Sequence, residues 1–330
     1  MGDVVPVGTG APYGGFVHEA AFFGSDEEFL SVVVPFVEAG VDAGEPALVA
    51  LAGSTADLLR SVLGHVEGVV YLHDTDGDGL RPASFIETTR RYLTDRLADG
   101  ASRVRAVGET PHPGLGAPWH EWARYEAALN HAYATLPLWR MCPFDTRTAP
   151  AHVVADVLRT HPRLATADGR HVDNPRYEDP AAFLGRRSFV PGDPAEPAIA
   201  PAAEVLDPQP AEARAVARAA GQAAGLGRED VEDLVLAVSE AVTNALEHAR
   251  PPVRLRVWPE PGRVVVTVGD AGRGPRDPYA GLLPAVSSAT GGFGLWAIHQ
   301  ICSEVTLHRS ESGFSLRMVR TRSAGDGARA

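Results

Sequence analysis

The stretch Glu240-Ala241-Val242-Thr243-Asn244-Ala245 sits inside an apolar pattern of helical period. Over residues 229–249, Val231, Leu234, Val235, Val238, Val242, Ala245 and Leu246 recur at three- and four-residue spacing and define one buried face. Opposite that face run Glu240, Thr243, Asn244, Glu247 and His248. Glu240 and Asn244 are four apart, which sets their side chains on one stripe with Cβ atoms about 5–6 Å apart. An asparagine in mid-helix is mildly unfavourable, and on its own the stripe would read as a solvated helix face.

Two glycine clusters follow in order. Asp270-Ala271-Gly272-Arg273-Gly274 puts a carboxylate at a strand end and then alternate glycines, where backbone can approach a flat ligand without a Cβ in the way. Further on, Gly291-Gly292-Phe293-Gly294 leads directly into an apolar helical run over 295–301, and a glycine-rich turn at a helix N-terminus suits a phosphate. Each cluster is a weak signal alone; their ordered occurrence within about 75 residues is a strong one.

The surrounding pattern completes a domain over 203–322. Asp207-Pro208 reads as an N-cap with proline at the first helical position, opening a helix to about residue 224. Pro251 and Pro252 end the second helix, strands at 253–258 and 264–268 form a hairpin, and 304–307 with 314–319 suggest another. Two helices on one face of a mostly antiparallel sheet are expected.

This arrangement resembles the GHKL, or Bergerat-fold, ATPases. Glu240 to Ala245 look like the N box, Asp270 to Gly274 the first glycine box, and Gly292-Phe293-Gly294-Leu295 the second. The compact size and the Ser-Glu-Ala-Val-Thr-Asn wording are most similar to the anti-sigma serine kinase branch. The resemblance implies a two-layer α/β sandwich that binds ATP with Mg²⁺. Asn244 would coordinate Mg²⁺ with the phosphates, Asp270 would accept from the adenine amino group, and Gly272, Gly274, Gly292 and Gly294 would line the nucleotide. Glu240 would be the general base for an incoming serine hydroxyl, and 275–290 the ATP lid. Where the family usually has Gly-Thr-x-Val, with threonine near the adenine, this chain has Gly313-Phe314-Ser315-Leu316, and Ser315 is the hydroxyl offered there. Residues 277–293 carry no arginine, so cationic help to the γ-phosphate must come from Arg273, Arg276 or a partner.

Upstream, over 16–187, short apolar runs alternate with amphipathic helical stretches, the signature of a doubly wound parallel sheet. Strands are expected at 16–23, 46–51, 68–73, 103–108 and 136–141, and helices at 26–39, 54–63, 83–98, 119–133 and 149–160. Residues 1–15 read as a flexible leader, 188–202, with Pro191, Pro194, Pro197 and Pro201, as a semi-rigid linker, and 323–330 as a disordered tail. This half is similar to the MEDS sensory domain, a RecA-like module without a working P-loop. The likeness rests on His18, Phe22-Phe23, Gly108-Glu109, Trp119, Tyr125-Glu126, Asn130, Cys142 and His161-Pro162. It implies an input module for a small-molecule signal, with Glu109, Trp119 and His18 as candidate sensory residues near the C-terminal strand ends. That family often has a cysteine two positions after the first histidine; Ala20 stands there, which weakens a metal- or thiol-sensing reading.

Composition removes other classes. All 30 basic residues are arginine, so a P-loop lysine and Schiff-base chemistry are excluded. A formal charge of −12 disfavours a phosphate backbone as partner. Cys142 and Cys302 are too far apart for a disulfide framework or a clustered zinc signature, which fits a cytoplasmic protein, and no apolar run is long enough to span a membrane. Asp74 to Gly79 begins like a calcium loop but has Phe85 where the bidentate glutamate belongs, and His120-Glu121 lacks its second histidine because Arg124 is there. Gly8, Gly10 and Gly14 lack the strand and spacing of a dinucleotide fingerprint.

The expected protein is a sensor joined to an anti-sigma kinase, similar to the Rsb-type regulators. Its partners would be a sigma factor and an antagonist protein phosphorylated on serine, with a homodimer left open. The alternatives are a sensor histidine kinase-like protein, which would need a histidine-bearing helix before the ATP fold, and a non-catalytic ATP-dependent binding module.

Overall fold

The computed structural model describes residues 15–51, 53–72, 82–187, 189–191, 194, 196–284 and 294–323, apart from the side chains of 82–84. Nearly all of the leader, the Asp74 to Gly79 loop, Gly292 and residues 324–330 lie outside the described residues. The described chain falls into two compact units with the break at Leu184 and Gly185.

In the first unit the elements run β1 (Val17–Phe23), α1 (Asp26–Asp42), β2 (Ala47–Ala50), α2 (Gly53–Leu63), β3 (Val69–Tyr71), α3 (Pro82–Ala98), β4 (Val104–Gly108), α4 (Trp119–Ala132), β5 (Leu138–Asp145) and α5 (Ala151–Thr160). Then come β6 (Arg163–Ala165), β7 (His171–Asp173) and α6 (Pro180–Arg187). The sheet order is β3-β2-β4-β5-β1-β6-β7, parallel except for the β6 and β7 pair. This is the RecA-like doubly wound sheet expected. Helices cover both faces, so β1 is buried along almost its whole length instead of alternating. Ser25 caps α1 by accepting from Glu28 N at 3.1 Å, and three acidic residues in the first turn complement the helix dipole. On one side, Phe29, Val33, Phe36 and Val37 of α1 pack with Ala47 and Val49 of β2.

The second unit contains β8 (Val190–Pro191), β9 (Ala203–Leu206), α7 (Pro210–Ala223), α8 (Arg228–His248), β10 (Arg254–Glu260), β11 (Arg263–Asp270), α9 (Gly294–Ile301), β12 (Glu304–Ser310) and β13 (Gly313–Thr321). The sheet order is β8-β12-β13-β11-β10-β9, antiparallel apart from the short β8 and β12 pairing. The apolar stripe of α8, apart from Leu246, which is 41% exposed, joins α7, α9 and one sheet face in a single core, giving the two-layer sandwich.

Three local readings need correction. The first helix starts at Pro210 with Gln209 as its cap, so Asp207 is no N-cap. Asp207 instead has φ 48° and its carboxylate accepts from Val253 N at 2.7 Å, which ties the turn after β9 to the start of β10. Described residues of the 188–202 segment lie along the second unit's sheet: Glu196 pairs with Arg256 at 2.8 Å, and the Trp258 indole donates to the Ile199 carbonyl at 3.0 Å. At the other end Ser323, placed in the tail from sequence, donates through N and Oγ to the Asp230 carboxylate at 3.0 and 2.7 Å.

Candidate functional site

The site of the second unit is built where α8, the end of β11, the segment after it and the start of α9 converge. A cavity of about 550 Å³ lies there. Ala241 and Ala245 of α8, with Val268 and Leu316 of the sheet, give it an apolar wall, and their small or branched side chains leave room for a flat ring. Asn244, Asp270, Arg273, Arg276 and Asp277 are its polar lining, joined by His248 from the last turn of α8. Asn244, Asp270 and Gly274, assigned to the nucleotide from sequence, line it, as do Arg273 and Arg276, offered there for the γ-phosphate; Glu240, Gly272 and Gly294 are not among its lining residues.

Asp270 is the last residue of β11 and is fixed by its own turn. Its Oδ1 accepts from Gly272 N at 2.6 Å, and a Cβ at Gly272 would stand 2.7 Å from that oxygen. Burial pushes the Asp270 carboxyl above the ordinary aspartate range, partly offset by the backbone donors of Gly272 and Arg250. Gly274 has φ +70°, and a side chain there would also enter the Phe314 ring, with Cβ 2.5 Å from it.

Glu240 and Asn244, both partly exposed, sit one turn apart on α8 as expected. They face Gly294, the first residue of α9: a Cβ on Gly294 would lie 2.8 Å from Glu240 Oε2 and 2.9 Å from Asn244 Nδ2. A side chain there would make the ends of Glu240 and Asn244 turn away. The amide oxygen of Asn244 is a hard donor of the kind Mg²⁺ takes, and the arginines supply the charge a polyphosphate needs. The residues present therefore fit a purine nucleotide with Mg²⁺.

Ser315 is not brought to this cavity. It pairs with Gly269, and paired residues share a sheet face; it lines a separate cavity with Glu196, Arg254 and Thr267 on the far side of the sheet. Phe314 and Leu316, its neighbours on β13, line the nucleotide cavity instead. The sequence reading missed this because the two-residue alternation of a strand fixes faces only once the register is known. His248, named from sequence on the polar stripe, and Leu295, named in the second glycine box, also line the cavity, though neither was assigned to the nucleotide.

In the first unit the three candidate sensory residues occupy different settings. Glu109 follows β4 at the C-terminal edge of the sheet, partly exposed, and its Oε2 accepts from Thr55 Oγ1 at 3.3 Å. Trp119 opens α4 and is buried, its Nε1 donating to Asp156 Oδ2 of α5 at 2.9 Å. His18 is the second residue of β1 and has no exposed surface, next to Glu126, Cys142 and His161. Burial would raise the Glu126 carboxyl, but the His18 hydrogen bond, His161 and Arg140 outweigh it and bring it to about 2. Burial, with His18 alongside, lowers His161 to about 3, so its imidazole is neutral.

A family model described as "MEDS: MEthanogen/methylotroph, DcmR Sensory domain" matches residues 17–162, and one described as "Histidine kinase-like ATPase domain" matches residues 205–320. The chain joins a MEDS domain to a histidine kinase-like ATPase domain. The MEDS domain is the RecA-like unit holding His18, and the ATPase domain is the sandwich with the nucleotide cavity. A comparison with curated proteins finds no match. Among solved structures, the histidine kinase domain of the blue-light activated histidine kinase from Erythrobacter litoralis EL346 is similar at 26% identity and TM-score 0.23, over 34% of this chain. The chain spans 60% of that structure's length. A KaiC-like protein from Pyrococcus horikoshii OT3 is similar at 14% identity and TM-score 0.33, over 50% of this chain and 80% of that one.

Proposed function

We propose that the chain is an anti-sigma regulator whose MEDS domain receives a small-molecule signal and whose ATPase domain phosphorylates a serine of an antagonist protein. The observation that supports this most is the convergence of Glu240, Asn244 and the start of α9 beside a cavity that also holds Asp270. Asp270 would accept from the adenine amino group, the apolar wall would take the ring, and Arg273 and Arg276 would neutralise phosphate charge. Mg²⁺, held by Asn244 and the phosphates, would add charge neutralisation at the transferring group. Glu240 would take the serine hydroxyl proton as the serine oxygen bonds to the γ-phosphorus and the bond to the ADP oxygen breaks. The proposed setting is the cytoplasm, in keeping with the absence, among the described residues, of any helix long and apolar enough to cross a membrane.

A histidine kinase-like reading is favoured by the family description of residues 205–320. Against it, α7 (Pro210–Ala223), the helix that precedes the ATP-binding elements, contains no histidine.

The test uses the full chain with its co-purified partner and labelled ATP. Glu240→Ala should leave ATP affinity near wild type and cut phosphorylation by about 10²–10⁴-fold. Label that is stable to acid marks serine; acid-labile label would favour the histidine kinase reading. No phosphoryl transfer from the unmodified chain would leave a non-catalytic ATP-dependent clamp.

A further inference from the structure

Four side chains that could hold a metal meet inside the MEDS domain: His18 of β1, Glu126 of α4, Cys142 of β5 and His161 just after α5. All four are fully buried, and one ligand atom from each lies within 4.8 Å of the others. His18 Nε2 is 3.2 Å from Glu126 Oε2 and 3.5 Å from Cys142 Sγ, and His161 Nε2 is 3.4 Å from the same Oε2. Ligands about 2.0–2.3 Å from a tetrahedral centre are about 3.3–3.7 Å from each other; these three separations are close to such edges, while Cys142 Sγ stands wider, 4.0 Å from Glu126 Oε2, and would move inward on binding.

The hydrogen bonds around the cluster leave its centre rich in lone pairs. Asn130 Nδ2 donates to the Thr160 carbonyl at 2.7 Å, which turns its Oδ1 towards His18, so His18 Nδ1 must be the donor in their 3.2 Å contact. His161 Nδ1 faces the Val157 carbonyl at 2.9 Å and must also donate. With Nδ1 of each ring committed to these acceptors, both Nε2 atoms point at one carboxylate oxygen. The outer groups hold the remaining ligands: the Thr110 hydroxyl donates to Glu126 Oε1, and Arg140 Nε donates to Cys142 Sγ at 3.2 Å. Imidazoles that donate their far nitrogen to a carbonyl oxygen, and a carboxylate and thiolate that are themselves hydrogen-bonded, form the outer shell that orients metal ligands.

We propose that His18, Glu126, Cys142 and His161 form a tetrahedral site for a borderline divalent transition metal of the zinc class. Two imidazoles and a thiolate select such an ion over Mg²⁺ or Ca²⁺. Thiolate and carboxylate together balance its two charges, and the metal would displace the thiol proton on binding. The ion would clip α4 and the end of α5 to the two central strands.

The experiment uses the full chain, stripped with a chelator and without nucleotide, so that the ATPase site is not loaded. One equivalent of Co²⁺ should give the visible bands of tetrahedral cobalt and a thiolate charge-transfer band, both removed by Zn²⁺. Zn²⁺ should also raise the melting temperature. Cys142→Ser should abolish the charge-transfer band, and Cys302→Ser should leave it intact. Asn130→Ala, outside the ligand set, should weaken affinity about 10–100-fold. Unfolding on chelation, reversed by Zn²⁺, would also support the site. A stripped chain that stays folded and gives no cobalt spectrum would overturn it, as would a charge-transfer band that survives Cys142→Ser.

Discussion

Gly294 opens α9 directly against Glu240 of α8: a single added Cβ would come to 2.8 Å from the Glu240 carboxylate and 2.9 Å from the Asn244 amide. Both are ends of flexible side chains and can turn away, and alanine is a good helix former. Gly294→Ala should therefore shift the melting temperature by only a few degrees while lowering ATP-dependent phosphorylation by at least about 10-fold. Thermal melts paired with a transfer assay check this. Equal losses in both would mean that the glycine serves packing alone.

Asp270→Asn keeps the Oδ1 acceptor for Gly272 N and replaces the other oxygen with a donor. A donor facing the adenine amino group leaves both unpaired, so ATP should bind about 10–100-fold more weakly. Because burial raises the Asp270 carboxyl, its ionised fraction falls as pH drops, starting at a higher pH than for an ordinary aspartate. Wild-type affinity should fall with acid in that window and the variant's should not. Calorimetry across the range measures both; parallel curves would remove Asp270 from the adenine end.

Asp230 and Arg320 meet at 2.5 Å with side chains 3% and 8% exposed. Burial raises the Asp230 carboxyl, but donors from Ser323 and Arg320 outweigh it and hold it below the ordinary value. A depressed carboxyl contributes stability that is present above its unfolded pKa of about 3.9 and is lost as pH falls through the lower folded value. Asp230→Asn should cost about 3 kcal/mol at neutral pH, near the low end for a broken buried pair because Arg320 retains Asp233 at 3.0 Å. The gap to wild type should close below about pH 3.9. Hydrogen exchange of the α8 and β13 amides reads it; a gap unchanged by acid would mean that the pair is not the source.

A fragment spanning 203–322 contains the whole nucleotide cavity but lacks the Glu196 and Ile199 contacts to Arg256 and Trp258, and the Ser323 cap on Asp230. Trp258 is buried, so losing the acceptor of its indole costs about 1–3 kcal/mol. The 203–322 fragment should bind ATP but melt several degrees below one spanning 185–323. Coincident melts would show that the proline-rich segment is only a tether.

The two-domain order, the helices and principal strands, and the stripe of Glu240 and Asn244 were legible in the chain itself, because these depend on spacings of two to four residues within one element. Gly272, Gly274 and Gly294 were legible for the same reason: each is a local exemption from carrying a Cβ. What needed the tertiary structure were register and long-range pairing. The alignment of Asp270 with Phe314 put Ser315 on the far sheet face, and the three-residue strands β6 and β7 carry too few positions to show a period. The parallel pairing of β1 with β5 sets Ala20 beside Cys142, so the thiol next to His18 comes from a residue 124 positions away. No local pattern encodes such a meeting; it exists only when helices α4 and α5 close over the strands that bring the donors together.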